Sequence, residues 1–224
     1  MDSTFGVLKT KMMTKRICLL FGSLLLFLNI YGQKVQSAIN LKEYYFPYKT
    51  CFTPVDYRFI NNADATESIK WTLQTTLLNK DTLLNIKVYD TINRLVEETT
   101  HKIVEEGVVL QRFIVYKYKG DSCEQQHCSV TDSLVYSFHQ QTNAEILWKV
   151  CIMDAPPVFM KRSREFIGQD KFTTGMKFND KYYFTINGED YLDHQVKSTY
   201  SKNKGLTTYS IMNRKGISKV FKLE

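Results

Sequence analysis

No stretch of this 224-residue chain holds the roughly 20 consecutive apolar residues that a membrane-crossing helix needs. The nearest approach, Ile17 to Leu28, is twelve residues long and is broken by Gly22 and Ser23. Helical periodicity is almost absent, which argues against an α-helical fold. There is no Gly-x-Ser-x-Gly elbow, no glycine loop for phosphate and no His-Glu-x-x-His, so hydrolase, nucleotide-dependent and zincin chemistries have no motif behind them. No cofactor is expected. The chain also lacks a repeat unit and a low-complexity tract. Prolines number only four, and two of them stand together at Pro156-Pro157, where a central strand cannot continue.

What is present is alternation. From Ile69 to Tyr118 four apolar-rich segments are separated by short polar turns, the pattern of an antiparallel meander. Ile69, Trp71, Leu73 and Leu77 fall on one side of the first, opposite Lys70, Thr72, Gln74 and Thr76, the period-two signature of a half-buried strand. Leu84, Ile86 and Val88 repeat it. Arg94 to Ile103 is more polar, and Val108 to Tyr118 places Leu110, Ile114, Tyr116 and Tyr118 on one face. Val55 to Ile60 makes an earlier strand after Pro54, and Leu134 to Phe138 and Ile146 to Ile152 make later ones. Tyr182, Phe184 and Ile186 alternate up to Asn187-Gly188, residues that tolerate the positive φ angles of a tight hairpin. Leu192, His194, Val196 and Tyr200 return on one side, and Tyr209, Ile211, Phe221 and Leu223 close the chain. The expected fold class is all-β, a large curved antiparallel meander or half-open β-barrel with few helices.

The beginning reads as a secretory signal peptide over residues 1–32. Lys9, Lys11, Lys15 and Arg16 supply the basic start, Ile17 to Leu28 the apolar run, and Gly32 the small residue before a cut at Gln33, with a second cut site near Ala38. Cys18 opens the apolar run where a lipidated cysteine should close it, so it leaves with the peptide. Residues 33–224 form one all-β domain with an interruption near 154–160. The excised part takes four of the 30 basic residues and one of the 23 acidic ones, so the formal charge falls from +7 to +4. Lys161-Arg162-Ser163-Arg164 is the densest basic cluster. Its plain reading is a solvated strand edge, with attraction to an anionic membrane surface as the rival. It is too short for a nucleic-acid-binding arm, and no nucleic acid partner is expected.

Four cysteines remain after export: Cys51, Cys123, Cys128 and Cys151. An even number in an exported chain points to disulfides, and three pairings exist. The favoured ones are Cys123–Cys128 across a turn and Cys51–Cys151. Closing so short a loop stabilises by roughly 2 kcal/mol and closing about 100 residues by roughly 4.7. A metal site from Cys123, His127 and Cys128, completed by His101 or His139, is the weaker rival, because His127 and Cys128 diverge if they lie on a strand. His194 sits on an apolar face, where a histidine is more often structural than a general base. The pairs Glu97-Glu98, Glu105-Glu106 and Glu189-Asp190 diverge for the same reason and make no two-carboxylate catalytic pair. Of the aromatic residues, 26 follow residue 32. Alternating tyrosine and phenylalanine build a β core first, and in an unclosed sheet they also line a concave apolar surface.

Tyr45-Phe46-Pro47-Tyr48-Lys49 followed by Val55-Asp56-Tyr57, and near the end Tyr200-Ser201-Lys202-Asn203-Lys204-Gly205-Leu206, resemble the opening and closing segments of uncharacterised exported β-sheet proteins of Gram-negative bacteria. Tyr48 stands where that group has leucine, and the first strand has no tryptophan. The resemblance implies a half-open barrel similar in broad shape to the lipoprotein-carrier and lipoprotein-receptor folds, and carries over no activity and no site residues. The expectation is therefore an exported, non-enzymatic protein, periplasmic or at the cell surface and not membrane-spanning. It binds a lipid or other hydrophobic ligand on a curved sheet. The alternative is a structural or interaction module that docks another envelope protein.

Overall fold

The computed structural model describes residues 38–224 except 129, 131, 153–157, 173 and 217, and the backbone alone at 150–152, 158 and 159. The signal-peptide reading of residues 1–32 lies outside the described residues. Strand β1 (Ile39–Asn40) and a 3-10 turn at Lys42–Tyr44 open the chain. The meander comprises β2 (Val55–Asn61), β3 (Ser68–Leu78), β4 (Asp81–Tyr89), β5 (Leu95–Ile103), β6 (Gly107–Lys119) and β7 (Ser122–Cys128). Short strands β8 (Ser133–Ser137) and β9 (His139–Gln140) follow. The second half comprises β10 (Glu145–Ile152), β11 (Val158–Gln169), β12 (Met176–Ile186), β13 (Glu189–Ser201), β14 (Gly205–Asn213) and β15 (Ser218–Leu223).

All ladders are antiparallel, and 13 of the strands belong to one sheet, as the alternation predicts. Its order is β10-β11-β12-β13-β14-β15-β2-β3-β4-β5-β6-β7, with β8 also on β6. The sheet curls, bringing β10 beside β7 and β8, and stays open there without closing into a barrel. A twisted sheet of this width must curl, because each strand is rotated relative to its neighbour. The interruption expected near 154–160 falls largely outside the described residues; the strands on either side of it, β10 and β11, pair from Glu145↔Glu165 to Ile152↔Val158. Asn187 (φ 52°) and Gly188 (φ 86°) make the predicted two-residue hairpin.

The inside of the curl is a single aromatic-rich core, with Phe59, Leu73, Leu84, Phe113, Phe178 and Phe221 buried. The outer wall carries charge: Glu98 lies 3.9 Å from Lys87 and 3.7 Å from Arg112. Among the described residues no helix is long and apolar enough to cross a membrane.

Register shifts decide which side chains enter the core. Between β5 and β6, Thr100 pairs with Arg112 but His101 pairs with Leu110. Gln111 is the extra residue, and the alternation changes parity there. Phe113 and Val115 join the core, whereas Tyr116 reaches outward to Glu98 Oε2 at 3.2 Å. The predicted row Leu110, Ile114, Tyr116 and Tyr118 is thus corrected at its middle. Leu77, placed with Trp71 and Leu73 by parity, is exposed beyond the rim, and Thr75 takes the inward position.

Residues 41–51 plug one end of the curl. Leu41, Tyr45, Phe46 and Cys51 are buried. The Leu41 and Thr75 N–H groups donate to the carbonyls of Phe138 and Cys51, and the Asn203 N–H donates to Glu43, each at 2.7 Å. The Thr75 hydroxyl donates to the Tyr48 carbonyl at 2.7 Å. The plug therefore meets β3, the β8–β9 link at Phe138 and the β13–β14 turn at one rim. Phe46 lies directly on Gly205, where a Cβ would stand 2.6 Å from its ring and 2.9 Å from its Cα. The two sequence patches at opposite ends of the domain meet here.

Candidate functional site

Strand β11 runs Met160, Arg162, Arg164, Phe166 along its inner face. The basic cluster is therefore not a solvated edge: β11 is flanked by β10 and β12, and alternation sends Arg162 and Arg164 inward while Lys161 turns out to Asp190. Arg164 grips Asp180 of β12 through two bonds, Nε to Oδ1 at 2.7 Å and Nη2 to Oδ2 at 2.9 Å. The fork geometry suits a carboxylate. The same guanidinium lies near the rings of Tyr136, Phe178 and Tyr200, and its Nη1 reaches the Val135 carbonyl of β8 at 3.4 Å. Arg164 thus spans the open seam.

Arg162 lies between two rings, Phe113 at 4.8 Å and Tyr182 at 4.7 Å. The far face of Tyr182 stacks on His194 at 4.1 Å, and His194 Nδ1 pairs with Asp193 at 2.8 Å. Burial pushes the Tyr182 phenol up to about 12, so it keeps its proton. Arg162 holds its own carboxylate loosely, with Nη2 3.6 Å from Glu97 Oε2. Glu97 and Glu98 diverge as expected, one into the core and one to the outer wall.

These groups wall two adjoining cavities of about 100 and 290 Å³. Trp71, Glu97, Arg162, Arg164, Tyr182 and Tyr200 border both. The smaller ends on Tyr45 and Phe46 of the plug and on His101 of β5. The Tyr45 hydroxyl bonds His101 Nδ1 at 2.5 Å. Burial, then the Arg164 and Arg162 charges, lower His101 to about 3, so the imidazole is neutral and Tyr45 donates to it.

That neutral histidine has a measurable consequence. In the unfolded chain it titrates near 6.5. Between pH 6.5 and about 3 the unfolded state binds a proton that the folded state refuses. The contribution is complete above pH 6.5 and is lost as pH falls through this window, at up to about 1.4 kcal/mol per pH unit. Urea unfolding at pH 7.5 and pH 5.5 should show this loss, and His101→Gln should flatten it. An unchanged slope in the variant refutes the assignment.

The other predicted site residues are placed as follows. Cys123 and Cys128 stand at opposite ends of β7, and five residues of extended chain separate them by roughly 16 Å. A disulfide needs Cα atoms within about 7 Å, so the predicted Cys123–Cys128 bridge is incompatible with the fold. Neither Cys51, buried at the end of the plug, nor Cys123 is in a disulfide, and the Cys151 side chain lies outside the described residues. His127 is exposed and Cys128 buried on the same strand, so they face apart, and no group of metal-ligating side chains converges among the described residues. Sequence reasoning missed Arg162, Arg164, Asp180 and Tyr182 as interior groups. The signal was available: two arginines share the parity of Met160 and Phe166.

No family model and no curated protein matches the chain. It is similar to a solved structure described as a putative lipoprotein from Parabacteroides distasonis, at 11% identity and a TM-score of 0.41, over 81% of this chain and 98% of that one.

Proposed function

We propose that this is an exported binding protein of a bacterial envelope that holds a small hydrophobic or amphiphilic ligand inside its half-open curl. The observation that carries the reading is the interior cavity pair, walled by aromatic rings, bordered by two arginines and two carboxylates, and plugged at one end. Apolar walls with a few convergent polar groups are what ligand sites have in common. The basic and apolar segment at the start supports export. Native mass spectrometry of the protein taken from its own envelope, without delipidation, tests the reading. The expected result is extra mass of small-ligand size that is lost on collisional activation. A bare chain mass under conditions that preserve the fold overturns it.

A further inference from the structure

Four residues that line these cavities each carry a buried side-chain polar atom with no hydrogen-bond partner among the described residues: Trp71 Nε1, Trp148 Nε1, Arg162 Nε and Ser198 Oγ. The two indoles and the guanidinium can only donate. Trp148 is 7% exposed and sits directly across the β10–β11 ladder from Arg162. Both border the smaller cavity together with Trp71. Ser198 borders the larger one. Native proteins leave few buried donors unmatched, and here three of the four belong to residues that line the smaller cavity.

The charges on that space are uneven. Asp180 takes the fork of Arg164 with two short bonds, whereas Arg162 has Glu97 at 3.6 Å and a buried Nε with no hydrogen-bond partner among the described residues. Burial first, and then the Arg164 and Arg162 charges, keep His101 neutral at the plugged end. Beyond Arg162 the larger cavity is walled by apolar groups that include Met160, Val196, Tyr209 and Ile211.

The geometry points to a small organic carboxylate as the occupant, its oxyanion end received by Arg162, Trp148 and Trp71 and its apolar body lying along the larger cavity. This rests on the reading of the cavity as a ligand site. The body is small: 290 Å³ holds about ten groups at the ~30 Å³ that a water molecule occupies.

Trp71 and Trp148 are the two tryptophans of the sequence, so intrinsic fluorescence reports on the cavity directly. The full exported chain is titrated at pH 8 with decanoate and, separately, with decanol. The expected result is a saturable fluorescence change with decanoate, and affinity for decanol weaker by about tenfold or more, the worth of a charged hydrogen bond. Arg162→Gln should weaken decanoate about as much. Lys161→Gln, the same charge change on the outer wall, should leave it unaltered. Equal affinity for the two probes, or an unaltered Arg162→Gln, overturns the carboxylate assignment while leaving the apolar cavity standing. If neither probe alters the fluorescence, the space holds water alone, and both readings fall. Should Arg162→Gln fail to fold, Trp148→Phe keeps the ring and removes the donor. Decanoate affinity read at Trp71 should then fall about tenfold, and an unchanged value overturns the assignment.

Discussion

Replacing Asp180 by alanine lowers stability by about 3–5 kcal/mol, the usual cost of removing one partner from a buried ion pair. Asp180 is 4% exposed and both its oxygens are engaged by Arg164. Its loss leaves a guanidinium among Tyr136, Phe178 and Tyr200, where an unpaired charge cannot be solvated. The pair itself is worth much less, because taking two ions out of water offsets most of their attraction. Arg164→Met with Asp180→Leu should therefore recover most of the stability that Asp180→Ala forfeits. Urea midpoints at pH 7 for the single and double variants measure this. A single variant within about 1 kcal/mol of the parent would mean that the Val135 carbonyl and the rings suffice for Arg164.

Phe46→Ala is expected to cost about 3–5 kcal/mol, the range for truncating a buried phenylalanine. Its ring lies 5.3–6.1 Å from those of Tyr45, Tyr57, Trp71 and Tyr200. Removing it empties the plug where it meets the smaller cavity. Gly205→Ala attacks the same junction from the other side. The residue holds φ at +78°, and the new methyl would meet Phe46, so strain and overpacking together cost about 2–4 kcal/mol. The 2.6 Å approach to the ring goes once the ring is gone, while the 2.9 Å approach to the Phe46 Cα stays, so the double variant should cost less than the two singles added, by about 1 kcal/mol. Strict additivity would mean that the plug and the β13–β14 turn are energetically independent.

The strands were legible because both faces of this sheet obey one rule, apolar inward and polar outward, and Asn187-Gly188 carried its turn type in its residues. Side-chain parity was legible only up to the first extra residue. Nothing about Gln111 marks it as a bulge, and the shift there moved Phe113 inward and Tyr116 outward. The same rule hid the site. An interior that admits Arg162, Arg164, Glu97 and Asp180 breaks the apolar-inward expectation at the places where chemistry is concentrated, and a run of basic residues then reads as surface. The Cys123–Cys128 expectation failed because a turn was assumed where Glu124 to His127 continue a strand. The plug had no periodic signal, since residues 41–51 are held by contacts with distant strands and not by their own pattern.

The chain order of the sheet also fixes a timetable. Along the path from β10 to β7, with β8 set off it on β6, every neighbour is next in sequence except at one join, where β15 lies against β2 through Phe221↔Asn61, Lys222↔Ile60 and Leu223↔Phe59. Hairpins between adjacent strands close cheaply and early, whereas a contact spanning some 160 residues carries the loop-closure cost of nearly the whole domain. The strand of this sheet that is made last is thus the one that buckles the belt. Until it arrives, the Phe59 row of β2 is an open edge.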